Sequence, residues 1–342
     1  MRFSICLFSL LFSLNFVSAQ DLVISPISGS FCKPGVVGKS PSKGILFDYT
    51  MLPNIKVNPY NKGIKDLNTQ NTSSNRFRFK MKVPIIHKPN FTLLLGFAHY
   101  REEYHVSDLS NGELSILNAI HDQSLKSSRL SINILKPLNE KVYLAFKGDA
   151  SFNGDYNGII SFDNRYLKYN IGLLVGVKPR PDIEWGAGLL FRSSFVKSSI
   201  PVLPFAIYNR TFNEKWGIET ILPVSIKARY NFNPKNLILF GPEYESRSYS
   251  LGNINSATSN NTGNISEFFM KRSELKFSVT YEHQISDWVW FNVQTGYSHN
   301  FNTSFTEIDF KGQTLPVSVV SPADGVFFKV GVFISPPRKK CK

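Results

Sequence analysis

One short segment carries the clearest chemical pattern in the sequence. In Arg76-Phe77-Arg78-Phe79-Lys80-Met81-Lys82-Val83, cations alternate with apolar residues. Only an extended strand places alternate side chains on opposite faces, so the segment predicts one basic face and one apolar face. A row of Lys and Arg side chains binds anions or forms ion pairs with carboxylates.

Charged residues recur on the polar faces of other alternating segments. If the opposite, apolar faces meet lipid, these charges must face an interior, because a charge near the middle of a bilayer is strongly unfavourable. Two interpretations stay open: the cations pair with the carboxylates and fill a narrow interior, or the early basic strand lines a wet passage that favours small anionic solutes. The predicted interior set contains the cations Arg76, Arg78, Lys80, Lys82, Arg129, Lys147, Lys227 and Arg229 and the carboxylates Glu184, Glu219, Glu243, Glu245, Glu274 and Glu282.

Catalytic and metal-binding motifs are missing from the sequence. It contains no Gly-rich phosphate loop with its Lys, no paired-Cys framework, no His-Glu-x-x-His and no Gly-x-Ser-x-Gly. His99 and His299, the latter next to Ser298 and Asn300, are the only candidates for acyl-transfer chemistry, and we expect them to be hydrogen-bonded rim residues instead. We therefore predict no enzyme, no catalytic residue, no metal site and no cofactor.

The alternation of polar and apolar residues extends over most of the chain and predicts an all-β fold. Because Pro201, Pro204 and Pro223 interrupt the pattern, twelve strands are an alternative to fourteen. The fourteen predicted strands are about 44–51, 76–84, 91–104, 126–135, 142–152, 166–178, 183–194, 203–212, 215–221, 224–232, 237–249, 271–284, 288–301 and 325–334.

The connections alternate between short turns and long polar segments. Short turns such as 137–140, 179–182 and 233–236 are rich in Pro, Asn and Asp, whereas 105–125 and 302–324 are long and polar. Short turns at one end and long loops at the other are typical of an up-and-down outer-membrane β-barrel, and an even strand number places both termini in the periplasm.

The N-terminus has the order of a secretory signal peptide. An apolar run follows Arg2 and ends at Val17-Ser18-Ala19, so we expect cleavage before Gln20. No later segment approaches the roughly 20 apolar residues of a membrane-spanning helix, so a mature chain that crosses a bilayer must do so as a closed barrel. The predicted organisation is a signal peptide (1–19), a periplasmic arm (20–43), an outer-membrane barrel (44–334) and a basic tail (335–342).

The charge balance indicates anionic partners. The formal net charge is +14, and the mature chain, without Arg2, keeps +13. For an exported chain we expect outer-membrane lipid and lipopolysaccharide, small anionic solutes and the barrel-assembly machinery as partners, and no nucleic acid. Cys32 and Cys341 could pair in an oxidising compartment, but two cysteines have no diagnostic spacing.

Aromatic residues and glycines lead to two further expectations. Aromatic residues beside the short turns predict a girdle at the periplasmic interface: Phe91, Tyr143, Trp185, Trp216, Trp288 and Trp290. Glycines on neighbouring inward faces would leave space in a lumen, or would serve strand packing only: Gly172, Gly176, Gly186 and Gly188.

Several short motifs resemble a known family. Lys136-Pro137-Leu138-Asn139, Lys178-Pro179-Arg180-Pro181-Asp182, the stretch from Trp216-Gly217-Ile218-Glu219 to Leu222-Pro223, and Phe240-Gly241-Pro242-Glu243-Tyr244 are similar to Bacteroidota outer-membrane proteins defined as a domain of unknown function, DUF6268. The resemblance covers most of 44–334 and implies a barrel in the outer membrane, without a catalytic site or a ligand.

Three functions remain open from the sequence. The first is an outer-membrane barrel that passes or binds small anionic solutes, with the basic residues of 76–82 setting the charge preference. The second is a non-conducting barrel with a structural or surface-interaction role. The third is a secreted soluble β-sandwich, which also has alternating strands.

Overall fold

The computed structural model describes residues 35–60, 70–106, 124–195, 202–252, 267–308, 314–321 and 324–336. The predicted signal peptide, Cys32, Cys341, most of the arm and most of the basic tail lie outside these residues. Within the described ranges, no helix is long and apolar enough to cross a membrane.

The described residues form strands joined by turns and loops, with one 3-10 turn at Asn164–Tyr166. Period-two alternation of apolar and polar side chains explains why these segments are extended rather than helical. The strands are β1 (Ile45–Tyr60), β2 (Gln70–Lys88), β3 (Phe91–Val106), β4 (Leu125–Pro137), β5 (Val142–Gly154), β6 (Leu167–Arg180), β7 (Ile183–Arg192), β8 (Val202–Thr211), β9 (Trp216–Leu222), β10 (Ser225–Asn233), β11 (Asn236–Leu251), β12 (Glu267–Gln284), β13 (Val289–Ile308), β14 (Thr314–Ser321) and β15 (Gly325–Ile334).

The sheet closes on itself. Strands β1 to β13 pair antiparallel with their sequence neighbours, β13 pairs with β15, and β15 pairs with β1 along Ile45–Met51. The wall therefore contains fourteen strands, which confirms the predicted barrel; the twelve-strand and β-sandwich alternatives are wrong. Strand β14 pairs with the far ends of β13 and β1, in a region where the sequence predicted only a long loop.

The turns at one end are short because Asn side chains close them. The Asn139 carboxamide oxygen accepts hydrogen bonds from the N–H groups of Lys141 and Val142 at 2.9 and 2.8 Å, and Asn213 does the same for Lys215 and Trp216 at 3.0 and 2.8 Å. We call this the short-turn end and the opposite one the long-loop end. The described ends of the chain, Gly35 and Pro336, both belong to the short-turn end.

The outside of the barrel is apolar and the inside is polar. Large apolar side chains that point outward stay exposed on every face of the wall, for example Phe47, Leu130, Leu173 and Phe277, whereas buried Arg, Glu, Asn and Ser side chains point inward. A soluble barrel has the reverse distribution, because water favours polar outer faces. This distribution is that of a transmembrane barrel.

Strands β9 and β10 are the shortest strands of the wall. Strand β9 has 7 residues and β10 has 9, and they are joined by Leu222-Pro223-Val224 at the long-loop end. Above these short strands β5 and β11 meet directly in a parallel bridge between Gly154 and Ser250. The Tyr166 ring packs over Gly154, where any side chain would clash with it.

The expected aromatic girdle is wrong for two of its residues. Tyr143 and Trp290 do not join an interfacial girdle, because both are buried inside the barrel, whereas Trp185, Trp216 and Trp288 are exposed. Of the two interpretations of the inward glycines, close packing applies at Gly176 and Gly188. The Tyr143 ring fills the room above Gly176, and the Phe205 ring fills the room above Gly188.

Candidate functional site in the barrel lumen

A buried ion-pair network crosses the lumen in its long-loop half. Arg76 on β2 donates two hydrogen bonds to Glu274 on β12, at 2.9 and 2.7 Å, although three strands of the wall separate β2 from β12. The Arg76 Nε lies 2.8 Å from Glu102 Oε1 on β3, and Arg272 on β12 contacts Glu102 as well. Because β2, β3 and β12 are not all neighbours, these ion pairs cross the interior, and the network connects separate parts of the wall.

Tyrosine hydroxyls and a second carboxylate extend this network. Glu102 accepts hydrogen bonds from the hydroxyl groups of Tyr104 at 2.8 Å, Tyr249 at 3.3 Å and Tyr100 at 3.4 Å. Lys276 bridges Glu274 at 3.2 Å and Glu245 at 2.5 Å. Toward the long loops an apolar cluster follows directly, formed by Leu125, Tyr249, Leu251, Met270 and Phe305. This half of the lumen is therefore filled by side chains.

A basic chamber lies on the part of the wall that runs from β15 through β1 to β5, nearer the short turns. Lys80 and Lys82 point inward from β2 and Lys329 from β15, and none of them has a carboxylate within 4 Å among the described residues. Arg129 and Lys147 share one carboxylate, Asp149, at 3.5 and 3.2 Å. These two side chains remain 39% and 46% exposed although they face the interior, so this part of the lumen is accessible to water.

Small inward residues separate the cations of the basic chamber. In the sheet register Lys82 lies beside Gly96, which lies beside Ser131, and Lys80 lies beside Ala98. A Gly, a Ser and an Ala leave space between the long basic side chains that larger residues would occupy. The chamber therefore combines lysines that no carboxylate of the described residues contacts with small neighbouring side chains.

The other predicted interior residues are ion-paired, except Glu184, which accepts hydrogen bonds from the Tyr143 hydroxyl at 2.8 Å and from Asn209 at 2.7 Å. Arg78 contacts Asp48 on β1, and Lys227 lies 3.3 Å from Glu243 and donates to Ser278 at 3.2 Å. Arg229 lies 3.1 Å from Glu219. The structure thus separates the predicted cations into those compensated by carboxylates and those of the basic chamber.

Several residues of the lumen were missing from the predicted set. Lys329 lies in the alternating stretch Phe328-Lys329-Val330-Gly331-Val332, and that pattern could have identified it. Asp149 and Arg272 lie two residues from the predicted Lys147 and Glu274, so the alternation could also have given their inward direction, but the ion-pair partners of Asp48, Glu102, Asp149 and Arg272 depend on strand pairing.

The two candidate histidines lie on separate strands and form no catalytic site. The His99 Nδ1 lies 2.8 Å from the Ser128 hydroxyl, which donates its only proton to the Ile159 carbonyl, and Ser128 is fully buried. A Ser nucleophile needs an accessible hydroxyl whose proton goes to the base, and neither condition holds here. His299 instead pairs with Asp324 at 2.7 Å. Among the described residues, no group of three His, Cys, Asp or Glu side chains could hold a metal ion.

A family model described as a domain of unknown function, DUF6268, matches residues 47–331 of the chain. No curated protein sequence matches the chain.

Solved structures of outer-membrane proteins show a distant similarity. An outer membrane channel from Pseudomonas putida F1 is 12% identical, with a TM-score of 0.42, over 89% of this chain and 99% of that one. A Pseudomonas aeruginosa FadL homologue is 11% identical, with a TM-score of 0.42, over 85% and 89%. The P. putida toluene transporter TodX is 8% identical, with a TM-score of 0.40, over 88% and 91%.

Proposed function

The chain belongs to the family of the domain of unknown function DUF6268, whose description assigns no activity. From the lumen itself we propose that the protein is an outer-membrane barrel whose basic chamber binds small anionic solutes and lets them pass.

The outer-membrane placement is supported by the exterior and by the turns. Outward apolar side chains such as Leu173 and Phe277 require a hydrocarbon environment all around the wall. Tight turns at one end and longer connections at the other match the periplasmic and extracellular ends of bacterial outer-membrane barrels. In this orientation the short-turn end faces the periplasm, and export depends on the predicted signal peptide.

The anion preference rests on one observation. Lys80, Lys82 and Lys329 face the accessible part of the lumen without a carboxylate within 4 Å among the residues described. Like charges in a confined space repel one another, and an anion relieves that repulsion more effectively than water. Arg129 and Lys147 add to the positive potential, because one Asp149 carboxylate serves both.

The test measures ion selectivity on protein folded in detergent and inserted into a planar bilayer. We expect wild-type reversal potentials under a KCl gradient to show preference for chloride, and Lys80→Glu plus Lys82→Glu to abolish or invert it. Lys215→Glu plus Lys235→Glu is the matched control, since it makes the same charge change at exposed short turns. An anion preference that survives in the chamber variant would contradict the proposal.

Solute binding is measured separately by calorimetry with inorganic phosphate at low ionic strength. Wild type and the control should bind phosphate, and the chamber variant should not. No binding to wild type, together with no chloride preference, would refute an anionic substrate.

A second function is favoured by the filled half of the lumen. The network around Arg76 and the apolar cluster around Leu125 leave little space toward the long loops. A barrel closed in this way would act as a structural or surface-interaction module. A wild-type protein that inserts into the bilayer, passes no current and binds no phosphate would favour this second function.

A further inference from the structure

Residues 35–43, here called the mouth strap, lie inside the short-turn mouth of the barrel. The Gly35 N–H donates to Glu184 on β7 at 2.9 Å. The Ser40 N–H and hydroxyl donate to the two oxygens of Glu219 on β9, at 2.8 and 2.7 Å. The Lys43 ammonium lies 2.7 Å from Glu282 on β12. Three inward carboxylates on different strands therefore hold one segment.

These partners lie on one side of the mouth. The Val37 carbonyl accepts from Thr211 on β8 at 2.5 Å, the Gly38 carbonyl accepts from Asn231 on β10 at 3.2 Å, and Lys43 lies over the Phe333 ring of β15 at 4.7 Å. In the closed sheet β7 to β12 are consecutive, and β15 follows after β13. Lys80, Lys82, Arg129 and Lys147 lie on β2, β4 and β5, outside the run of strands from β7 to β12.

Apolar side chains add to the obstruction on the strap side. Leu46, Leu237, Trp290 and Phe333 form a buried cluster at the short-turn end, on β1, β11, β13 and β15. The Trp290 and Phe333 rings stack with centroids 5.9 Å apart. The mouth strap and this cluster together occupy the mouth from β7 round to β15 and reach β1, where Leu46 lies beside Lys80 of the basic chamber.

The mouth strap is fitted to the wall but only lightly anchored. Val36 is 7% exposed and is its buried apolar side chain, whereas its neighbour Val37 is 62% exposed. Gly38 has φ +73°, and a Cβ there would lie 3.0 Å from the Asn231 amide nitrogen. The Lys43–Glu282 ion pair holds only the end of the segment next to β1, and the contacts of residues 35–42 other than Val36 are hydrogen bonds, which exchange with water at small net loss. A single change at Val36 should therefore release the segment without altering the wall.

We propose that the mouth strap narrows the short-turn mouth and confines anions to the basic side, so that it sets the size and the charge preference of the passage. This inference rests on the proposed function, because it concerns entry to the same chamber. Without the mouth strap, solutes could pass along the β7–β12 side, where Glu184 and Glu219 would attract cations instead.

The test compares Val36→Asp with Val37→Asp in the full chain, in planar bilayers under a KCl gradient. A carboxylate at position 36 cannot stay buried without a partner, whereas one at position 37 stays exposed. We expect Val36→Asp to raise the single-channel conductance and to lower the chloride-to-potassium permeability ratio to roughly half of the wild-type value. Val37→Asp should match wild type in both measurements.

Further measurements exclude misfolding as the cause of an effect and show whether the effect is specific to one substitution. Heat-modifiable migration on gels shows that each variant folds, and trypsin cleavage after Lys39, read by mass spectrometry, shows whether the mouth strap is released. Deletion of residues 35–42, with Lys43 retained, removes the segment outright and should reproduce the effect of Val36→Asp.

The outcomes separate this inference from the proposed function. If the deletion variant keeps the wild-type conductance and preference, the mouth strap does not shape the passage, while a chloride preference of wild type still stands. If current appears only after deletion, the segment closes the mouth completely and the narrowing role is refuted. If wild type conducts without chloride preference, the anionic substrate fails, and the inferred control of charge preference fails with it.

Discussion

Arg76 and Glu274 stand 198 positions apart in the chain and form a two-hydrogen-bond ion pair across the interior of the barrel, at 2.9 and 2.7 Å. Both side chains are almost fully buried, and the Glu274 carboxylate also contacts Arg272 and Lys276. One carboxylate thus compensates cations from two walls of the lumen.

Glu274→Gln should destabilise the barrel strongly. It leaves Arg76, Arg272 and Lys276 close together with less negative charge, and breaking a buried ion pair costs about 3–5 kcal/mol. The measurement is urea unfolding in phospholipid vesicles, followed by tryptophan fluorescence. Glu103→Gln is the control, since the Arg101–Glu103 pair is exposed and should contribute below about 1 kcal/mol. Equal effects of the two substitutions would argue against a structural role of the network.

Leu173→Arg should distinguish a lipid-facing wall from a water-facing one. Leu173 is 52% exposed in the middle of β6, and Leu138 is 53% exposed in a short turn. An Arg on the lipid face near the bilayer midplane costs about 2–4 kcal/mol, and one near the interface costs little. Unfolding in vesicles should therefore show a large loss for Leu173→Arg and almost none for Leu138→Arg. Similar small losses at both positions would mean that the outer face meets water.

Gly176→Ala should reveal the packing of Tyr143 inside the wall. A Cβ at position 176 would overlap the Tyr143 ring, whereas a Cβ at Gly172, on the same strand, would lie 3.4 Å from Leu190 in ordinary contact. Overpacking of this kind costs about 1–3 kcal/mol, so only Gly176→Ala should lower the free energy of unfolding appreciably. The loss should shrink in a Tyr143→Ala background. A full loss in that background would point to backbone strain instead of the ring.

Lys43→Met should destabilise the protein, because Lys43 of the mouth strap compensates the charge of Glu282. Glu282 is fully buried, and Lys43 is the cation within 4 Å of it among the described residues. Loss of that cation leaves a buried charge uncompensated, at about 3 kcal/mol, and Glu282→Gln in the same chain should restore much of the stability. Lys39→Met, in the same segment, serves as the control. Thermal unfolding of the single and double variants gives the coupling, and purely additive effects would exclude a direct pair.

The sequence by itself determined the barrel and the sidedness of its strands. Alternation at Arg76–Val83 and along the later strands fixes which side chains face lipid, because the period of a strand is two and a charge cannot remain in hydrocarbon. Short turns rich in Pro, Asn and Asp predicted fourteen strands with twelve as the alternative, and the structure confirms fourteen strands around the wall.

Only the tertiary structure decided what the interior charges do. Whether Arg76 is compensated and Lys80 is not depends on which strands face each other across the lumen, and local periodicity contains no information on distances across a closed sheet. The inward direction of Tyr143 and Trp290, by contrast, follows from the alternation along their strands, which decides the face, whereas proximity to a turn does not. The mouth strap lacks any repeating pattern, so its place between Glu184, Glu219 and Glu282 follows from the closure of the barrel around it.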